Sequence, residues 1–305
     1  MDYWKEVPNT NFMYHFKWMP FLKGLNYKQL SFCQKQMVNH FEFHYEITTK
    51  DLLFKNLIAY AELNKINVFD YVPLTFVIDV DSQTYTNDLA KFTQCYEIIA
   101  SCLNNDNNSN TDYRQTLKLI NSKMQQVNLS KERRVISHCR PKVSESHFAG
   151  KNIWLLKATG FNRGRGVSIF DSIDKLKNLI HFYSESTNNI IEDQIQSLIM
   201  SVKSRTFVIQ KYIERPLLIH NRKFDIRVWV LVTHEMKIYF FKEGYIRTSC
   251  AEYSIDGENL DKVNIHLTNN AVQKYCQQYG EFEDGNQLSF KDFQVLFICI
   301  IIAIS

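Results

Sequence analysis

Residues 207–232 read FVIQKYIERPLLIHNRKFDIRVWVLV, and this run decides the fold class. An apolar strand ends in Gln-Lys-Tyr-Ile. A connection containing Pro216 follows, and a second strand then carries Lys223, Asp225 and Arg227 at alternate positions. Side chains two apart on a strand share a face and lie roughly 7 Å apart. The even positions Phe224, Ile226, Val228, Val230 and Val232 are apolar and are expected to form the opposite, core-facing side. Two readings of the charged face are open: it lines a polar site, or it is a salt-bridge ladder on an exposed strand.

The chain has 305 residues, 45% hydrophobic and 14% aromatic, which is the composition of a globular protein with a substantial core. Its 36 basic and 32 acidic side chains leave a net charge of +4. That is too little to argue for nucleic acid, and it suits an acidic protein partner. Seven scattered cysteines (33, 95, 102, 139, 250, 276, 299) form no Cys-x-x-Cys pair, which points to a reducing, cytoplasmic compartment. The N-terminal stretch has no apolar signal core. The apolar run Val295–Ile304 is ten residues long, half of the roughly 20 a membrane span needs, so no membrane partner is expected.

Working outward, residues 51–65 have a helix period, 71–79 read as a buried strand and 88–103 as a helix. The stretch 104–110 is an Asn-rich loop, 111–136 read as a charged helix, and 138–150 as a linker. Residues 152–160 and 167–170 read as strands around a loop, FNRGRGV (161–167). Ser172 is a candidate cap for a helix ending near 184. Strands near 224–233 and 237–248 are expected to form a hairpin turning at 234–236.

Lys157 ends its strand beside a loop with Gly160, Arg163, Gly164, Arg165 and Gly166. Small residues let backbone N–H groups approach phosphate oxygens, and the cations neutralise them. The spacing is neither a Walker loop nor a dinucleotide fingerprint, and such a hairpin is also an ordinary turn. His40 and His44 have zinc spacing without a third ligand. No hydrolase triad or HExxH motif is present, and His-Arg-Asp and Asp-Phe-Gly elements of a kinase are missing.

Together, WLLKATGFNRGRGV (154–167), VIQKYIERPLLIHNRKFDIRVWVLV (208–232), YIRTS (245–249) and HLTNNAVQK (266–274) resemble, in order and spacing, the tubulin–tyrosine ligase-like family of ATP-grasp ligases. NHFEFHYEITTKDLLFKNL (39–57) resembles its N-terminal region more loosely. The resemblance covers most of residues 39–294. It implies an α/β (α+β) ATP-grasp fold with an N-terminal subdomain (1–150), a central subdomain (151–205) and an incomplete C-terminal subdomain (206–305).

The resemblance also implies roles. Lys157 contacts the phosphates of ATP, Arg163 and Gly164 belong to the loop covering them, and Gln210, Lys211, Tyr212 and Ile213 hold adenine. Lys223 and Asp225 bind ATP, with Arg227 beside them toward the γ-phosphate or an acyl-phosphate. Arg247 holds the carboxylate of a free amino acid, and Thr268 and Asn269 close the nucleotide site. The implied reaction adds glutamate or glycine to glutamate side chains in the acidic tails of tubulin or microtubules. It places the protein in the cytoplasm on the cytoskeleton, in the cilium or at the basal body. RGRG resembles the loop of the glycine-adding members. Ala158 stands where the family often has Pro. The family's magnesium carboxylates, in a later Glu-x-Asn strand pair, have no counterpart here: after GNQLSFKDFQ (285–294) the chain turns into VLFICIIIAIS. The resemblance implies first an ATP-dependent ligase; the alternative is an inactive nucleotide- or tubulin-binding member or fragment, and the chain as it stands, cut short and without the magnesium ligands, is expected to lack ligase activity.

Overall fold

The computed structural model describes residues 3, 5–8, 13–20, 25–30, 35–104, 112–129, 137–185 and 203–304. The expected Asn-rich loop lies outside these residues except at its first position, as does the last part of the expected 111–136 helix.

A small parallel pair, β1 (Phe16–Lys17) and β2 (Met37–Val38), comes first. A short helix α1 (Tyr45–Thr48) leads into α2 (Lys50–Leu63). The strand expected at 71–79 is β3 (Thr75–Asp79), and α3 (Tyr85–Asn104) and α4 (Tyr113–Met124) follow it. The hairpin strands are β4 (Trp154–Ala158) and β5 (Val167–Phe170). Helix α5 (Ile173–Ser184) starts where Ser172 accepts a hydrogen bond from the Lys175 amide at 3.2 Å, the cap read from the sequence. Strand β6 is Thr206–Lys211.

Strands β3, β6, β4 and β5 lie side by side in that order, antiparallel throughout. Period-two geometry divides this sheet. Trp154, Leu156, Ala158, Phe207 and Ile209 share one face and are buried in the main core. There Trp154 packs edge-on to Phe92 with ring centroids 5.0 Å apart, and Phe92 meets Phe76 and Phe170. Leu155, Lys157, Val208 and Gln210 point from the other face, because Leu155 pairs with Gln210 and Lys157 with Val208. The first face builds the core; the second carries Lys157 and Gln210, which meet there.

The second sheet has the order β12–β11–β8–β7: β7 (Leu218–Ile219), β8 (Arg222–Arg227), β11 (Tyr245–Glu252) and β12 (Gln287–Ser289). The expected Pro-containing connection therefore holds a strand of its own. His220 and Asn221, both at positive φ, turn β7 into β8, the two-residue turn that matches strand twist.

The hairpin expected from 224 to 248 forms with its turn in place, but in two pieces. β9 (Val230–Val232) pairs with β10 (Ile238–Phe240) as a separate ribbon, while β8 pairs directly with β11. Gly244 marks the break. A Cβ there would come within 2.5 Å of the Arg227 carbonyl and of the Phe290 ring, so only glycine permits this approach.

The alternation in β8 holds, but its reverse face is not the apolar core surface expected. Arg222 lies on it, buried to 1% exposure, while Ile226, Val228 and Val230 are 52%, 38% and 51% exposed among the described residues. The chain continues through the short helices α6 (Val263–His266) and α7 (Asn270–Gln273) to α8 (Phe290–Ile304). The apolar run that ends the sequence is thus helical in its described backbone. No helix among the described residues is long and apolar enough to cross a membrane.

Candidate nucleotide site

Lys157 of the first sheet and Lys223 of the second come close enough for the Lys157 charge to act on Lys223, and the space between the two amines is the candidate cleft. The Lys157 ammonium donates to Gln210 Oε1 at 2.6 Å, and Gln210 Nε2 donates to Thr75 Oγ1 at 2.9 Å. Lys223 Nζ donates to the Tyr212 hydroxyl at 3.0 Å and sits 4.5 Å from that ring's centroid. Burial, then the charge of Lys50, lowers the Lys157 pKa to about 8. Burial and then Lys157 lower that of Lys223 to about 8, with Asp225 opposing. Two desolvated amines whose positive charges repel are short of a counter-anion.

Lys50 was not singled out from the sequence. It opens α2, and its ammonium donates to the Phe161 carbonyl at 2.6 Å and the Ala158 carbonyl at 3.4 Å. It thereby ties the N-terminal helices to the base of the β4–β5 loop. That loop reaches the far wall. Gly164 (φ +83°) comes so close that a Cβ would lie 3.1 Å from Asn269 Oδ1 and from Val272 Cγ2. Arg163 and Arg165 are exposed on the same loop. Gly164 and Asn269, predicted separately, are brought together. Thr268 is buried beside them, and Asn269 begins α7. Gln273, fully buried, anchors this corner. Its side chain donates to the Asn264 and Leu267 carbonyls and accepts from the Cys250 amide at 2.7 Å.

The cross-strand register explains the next contact. Arg247 stands opposite Asp225, and its guanidinium grips both carboxylate oxygens, Nε to Oδ1 at 2.7 Å and Nη2 to Oδ2. This leaves Nη1 for another acceptor. Arg227 is on the same face, exposed and without an ion pair among the described residues. The salt-bridge reading is thus true of Asp225, while Lys223 contacts Tyr212 and Arg227 is exposed on the same strand face.

Lys211 departs from the expected adenine set. It lies on the core face opposite Trp154 and is 1% exposed. Its ammonium is bound to Glu214 and, at 3.0 Å, to the Ile153 carbonyl, so only main-chain atoms of Lys211 remain for a ligand. Neighbours in a strand face opposite ways, and Gln210 took the cleft. Tyr212 is 2% exposed in a second core cluster with Ile153, Ile169 and Leu260, while Ile213 is 38% exposed.

Two further features went unread in the sequence: the buried Arg222–Glu283 pair and the contact of His266 with Tyr212. Among the described residues no group of three His, Cys, Asp or Glu side chains is placed to hold a metal ion. Asp225, on the same strand face as Lys223, is engaged by Arg247.

The model of the tubulin-tyrosine ligase family matches residues 28–106 and 85–297. The chain belongs to the tubulin-tyrosine ligase family. Its α+β sheets are consistent with the ATP-grasp-like fold of this family. Relatives of this ligase-family chain include tubulin glycylase 3B of Tetrahymena thermophila, 34% identical over 189 residues, covering 61% of this chain and 14% of that protein. Tubulin glycylase 3D of the same organism is 38% identical over 152 residues, 48% of this chain and 13% of that protein. Tubulin monoglycylase TTLL3 of Homo sapiens is 34% identical over 150 residues, 47% of this chain and 17% of that protein. The chain thus matches only 13–17% of the length of these relatives. The comparisons lend no support to the expectation of an inactive ligase-family member.

Proposed function

We propose that the chain carries the nucleotide-binding part of an ATP-dependent ligase that joins glycine to glutamate side chains of tubulin. The observation that carries the nucleotide reading is the approach of Lys157 and Lys223, both desolvated, with the β4–β5 loop carried against Asn269 at Gly164. A polyphosphate supplies the anion these amines lack. Glycine, rather than the glutamate equally open from the sequence, is supported by the glycylase names of the relatives.

In this reading Lys157 and Lys223 hold phosphate oxygens, and the Arg163–Gly164 loop covers them. Gln210, the main chain of 211–213 and the exposed Ile213 side chain border the base. Arg227 faces the transferring phosphoryl group, where a fixed cation stabilises developing charge. A carboxylate oxygen of the tubulin glutamate takes the γ-phosphoryl group and ADP leaves. The amine nitrogen of glycine then attacks the acyl carbon, the C–O bond to phosphate breaks, and the amine loses a proton as the amide forms. Arg247 offers Nη1 to the glycine carboxylate while Asp225 fixes the rest of its guanidinium. Tubulin as partner implies association with the cytoskeleton.

Incubating the chain with tubulin, ATP and labelled glycine or glutamate tests this. Glycine entering tubulin only with ATP is the expected result. Co-sedimentation with microtubules without incorporation of either amino acid would replace ligation by binding.

A further inference from the structure

We infer that His266 is a positioning residue for Lys223, acting through the phenol of Tyr212. The inference rests on the nucleotide reading of the cleft and adds to it a residue that does not touch the nucleotide.

The hydrogen-bond directions are forced. His266 is 2% exposed, and its Nε2 lies 2.9 Å from the Asn259 carbonyl. A carbonyl oxygen only accepts, so Nε2 carries a proton; burial lowers the His266 pKa and keeps the ring neutral, so Nδ1 is bare. Nδ1 is 2.8 Å from the Tyr212 hydroxyl, and a bare imidazole nitrogen must accept. The phenolic proton is therefore committed to His266. What remains on the Tyr212 oxygen is lone-pair density, and Lys223 Nζ donates into it at 3.0 Å. One hydrogen of the Lys223 ammonium is held this way, which leaves two for other acceptors.

The scaffold around this chain of contacts is rigid. The His266 and Tyr212 rings meet edge to face with centroids 5.6 Å apart, and Tyr253 meets His266 similarly at 6.1 Å. The Tyr253 hydroxyl donates its one proton to the Glu214 carbonyl at 2.9 Å, with the Ile213 carbonyl 3.2 Å away. That contact fixes the segment just after Tyr212. The carbonyl that sets the imidazole proton belongs to Asn259, seven residues before His266 and on a different turn of chain. The direction of the Lys223 N–H bonds thus depends on a residue more than one side chain away from the cleft.

Substitutions at 266 separate this role from packing. Asn keeps an oxygen acceptor near where Nδ1 stands; Gln reaches toward Asn259 but offers no acceptor near Nδ1; Phe offers neither. ATP titrated calorimetrically into the full chain is expected to bind about tenfold more weakly in His266→Phe, His266→Gln and Tyr212→Phe, the loss of one directed hydrogen bond to a charged group. His266→Asn is expected to recover most of the affinity. The double variant His266→Phe/Tyr212→Phe is expected to be no weaker than either single one, since both cut the same chain.

Additive losses, or Asn and Gln variants that bind alike, would overturn the inference. Wild-type ATP binding that is insensitive to position 266 would do so while leaving the nucleotide site standing. Absence of ATP binding by the wild-type chain would overturn both. A readout independent of ATP and of any 266 variant is nitrogen NMR of the imidazole. The wild type is expected to show protonated Nε2 and bare Nδ1, with the Nδ1 resonance moving in Tyr212→Phe; an unchanged Nδ1 resonance would contradict the contact.

Discussion

Lys157 and Gln210 meet at 2.6 Å on the face of the first sheet that the core does not use. The contact follows from register: Lys157 pairs with Val208 and Gln210 with Leu155, so both project from one side of neighbouring strands. A lysine there is desolvated without an anion, and its pKa falls to about 8. The charged form is thus disfavoured in the fold. The destabilisation is fully present below about pH 8 and fades as pH rises toward the unfolded value of 10.5. Lys157→Met is expected to stabilise the unliganded chain at pH 7 by about 1–2 kcal/mol, discounted from the full shift for residual solvation. That gain should shrink by pH 10. Urea denaturation at the two pH values measures it, and a loss of stability at pH 7 would contradict the desolvation argument.

The same two amines set a pH dependence for binding. An anion in the cleft favours the protonated forms of Lys157 and Lys223, both with pKa lowered to about 8 when empty. ATP affinity is therefore expected to decline as pH rises above about 8, and binding near that pH to take up protons from solution. Calorimetry in buffers of different ionisation enthalpy reads the uptake. A flat affinity from pH 7 to 10 would be inconsistent with lysine contacts to phosphate.

Gly164→Ala acts through backbone and space together. Its φ of +83° is left-handed, and the added methyl would press on Asn269 Oδ1 and Val272 Cγ2 at 3.1 Å. A cost of about 1–2 kcal/mol is expected from the conformation alone. ATP affinity should fall with it, because the loop carrying Arg163 withdraws from α7. Melting temperature and ATP titration check the two parts, and a variant that keeps both would show the loop to be free of the far wall.

Arg222 and Glu283 form a buried ion pair, 1% and 7% exposed at their side chains. The Arg222 guanidinium also stacks 4.1 Å from the Phe282 ring centre, and Thr248 donates to Glu283 at 2.8 Å. Removing one partner strands a buried charge, so Arg222→Leu or Glu283→Leu should each cost about 3–5 kcal/mol. Arg222→Leu with Glu283→Leu should recover most of it. Chemical denaturation tests this, and a double variant as unstable as the sum of the singles would refute the charge-stranding argument.

Which candidate side chains share a face was legible because strands encode faces at period two. The alternation in WLLKA places Lys157 away from the core, and that in RKFDIR groups Lys223, Asp225 and Arg227. The cap at Ser172 followed from local chemistry. The Lys211 side chain enters the core, leaving its main chain for a ligand, because adjacent strand residues face opposite ways and Gln210 takes the other face. Its tolerance of the core depends on Glu214, beyond the strand's end. Lys50 reaches the Phe161 carbonyl across 111 positions, and Arg222 meets Glu283 across 61. No local pattern marks such partners. The split of the long hairpin depends on how closely Gly244 approaches Arg227, a tertiary contact that strand propensity does not record.

The central claim is that the Lys157–Lys223 cleft binds ATP. Titrating ATP into the wild-type chain and into Lys223→Met at pH 7 tests it most directly. The account predicts one saturable site in the wild type and binding at least tenfold weaker in the variant, the loss of one charged phosphate contact. Equal binding by the two proteins would contradict it.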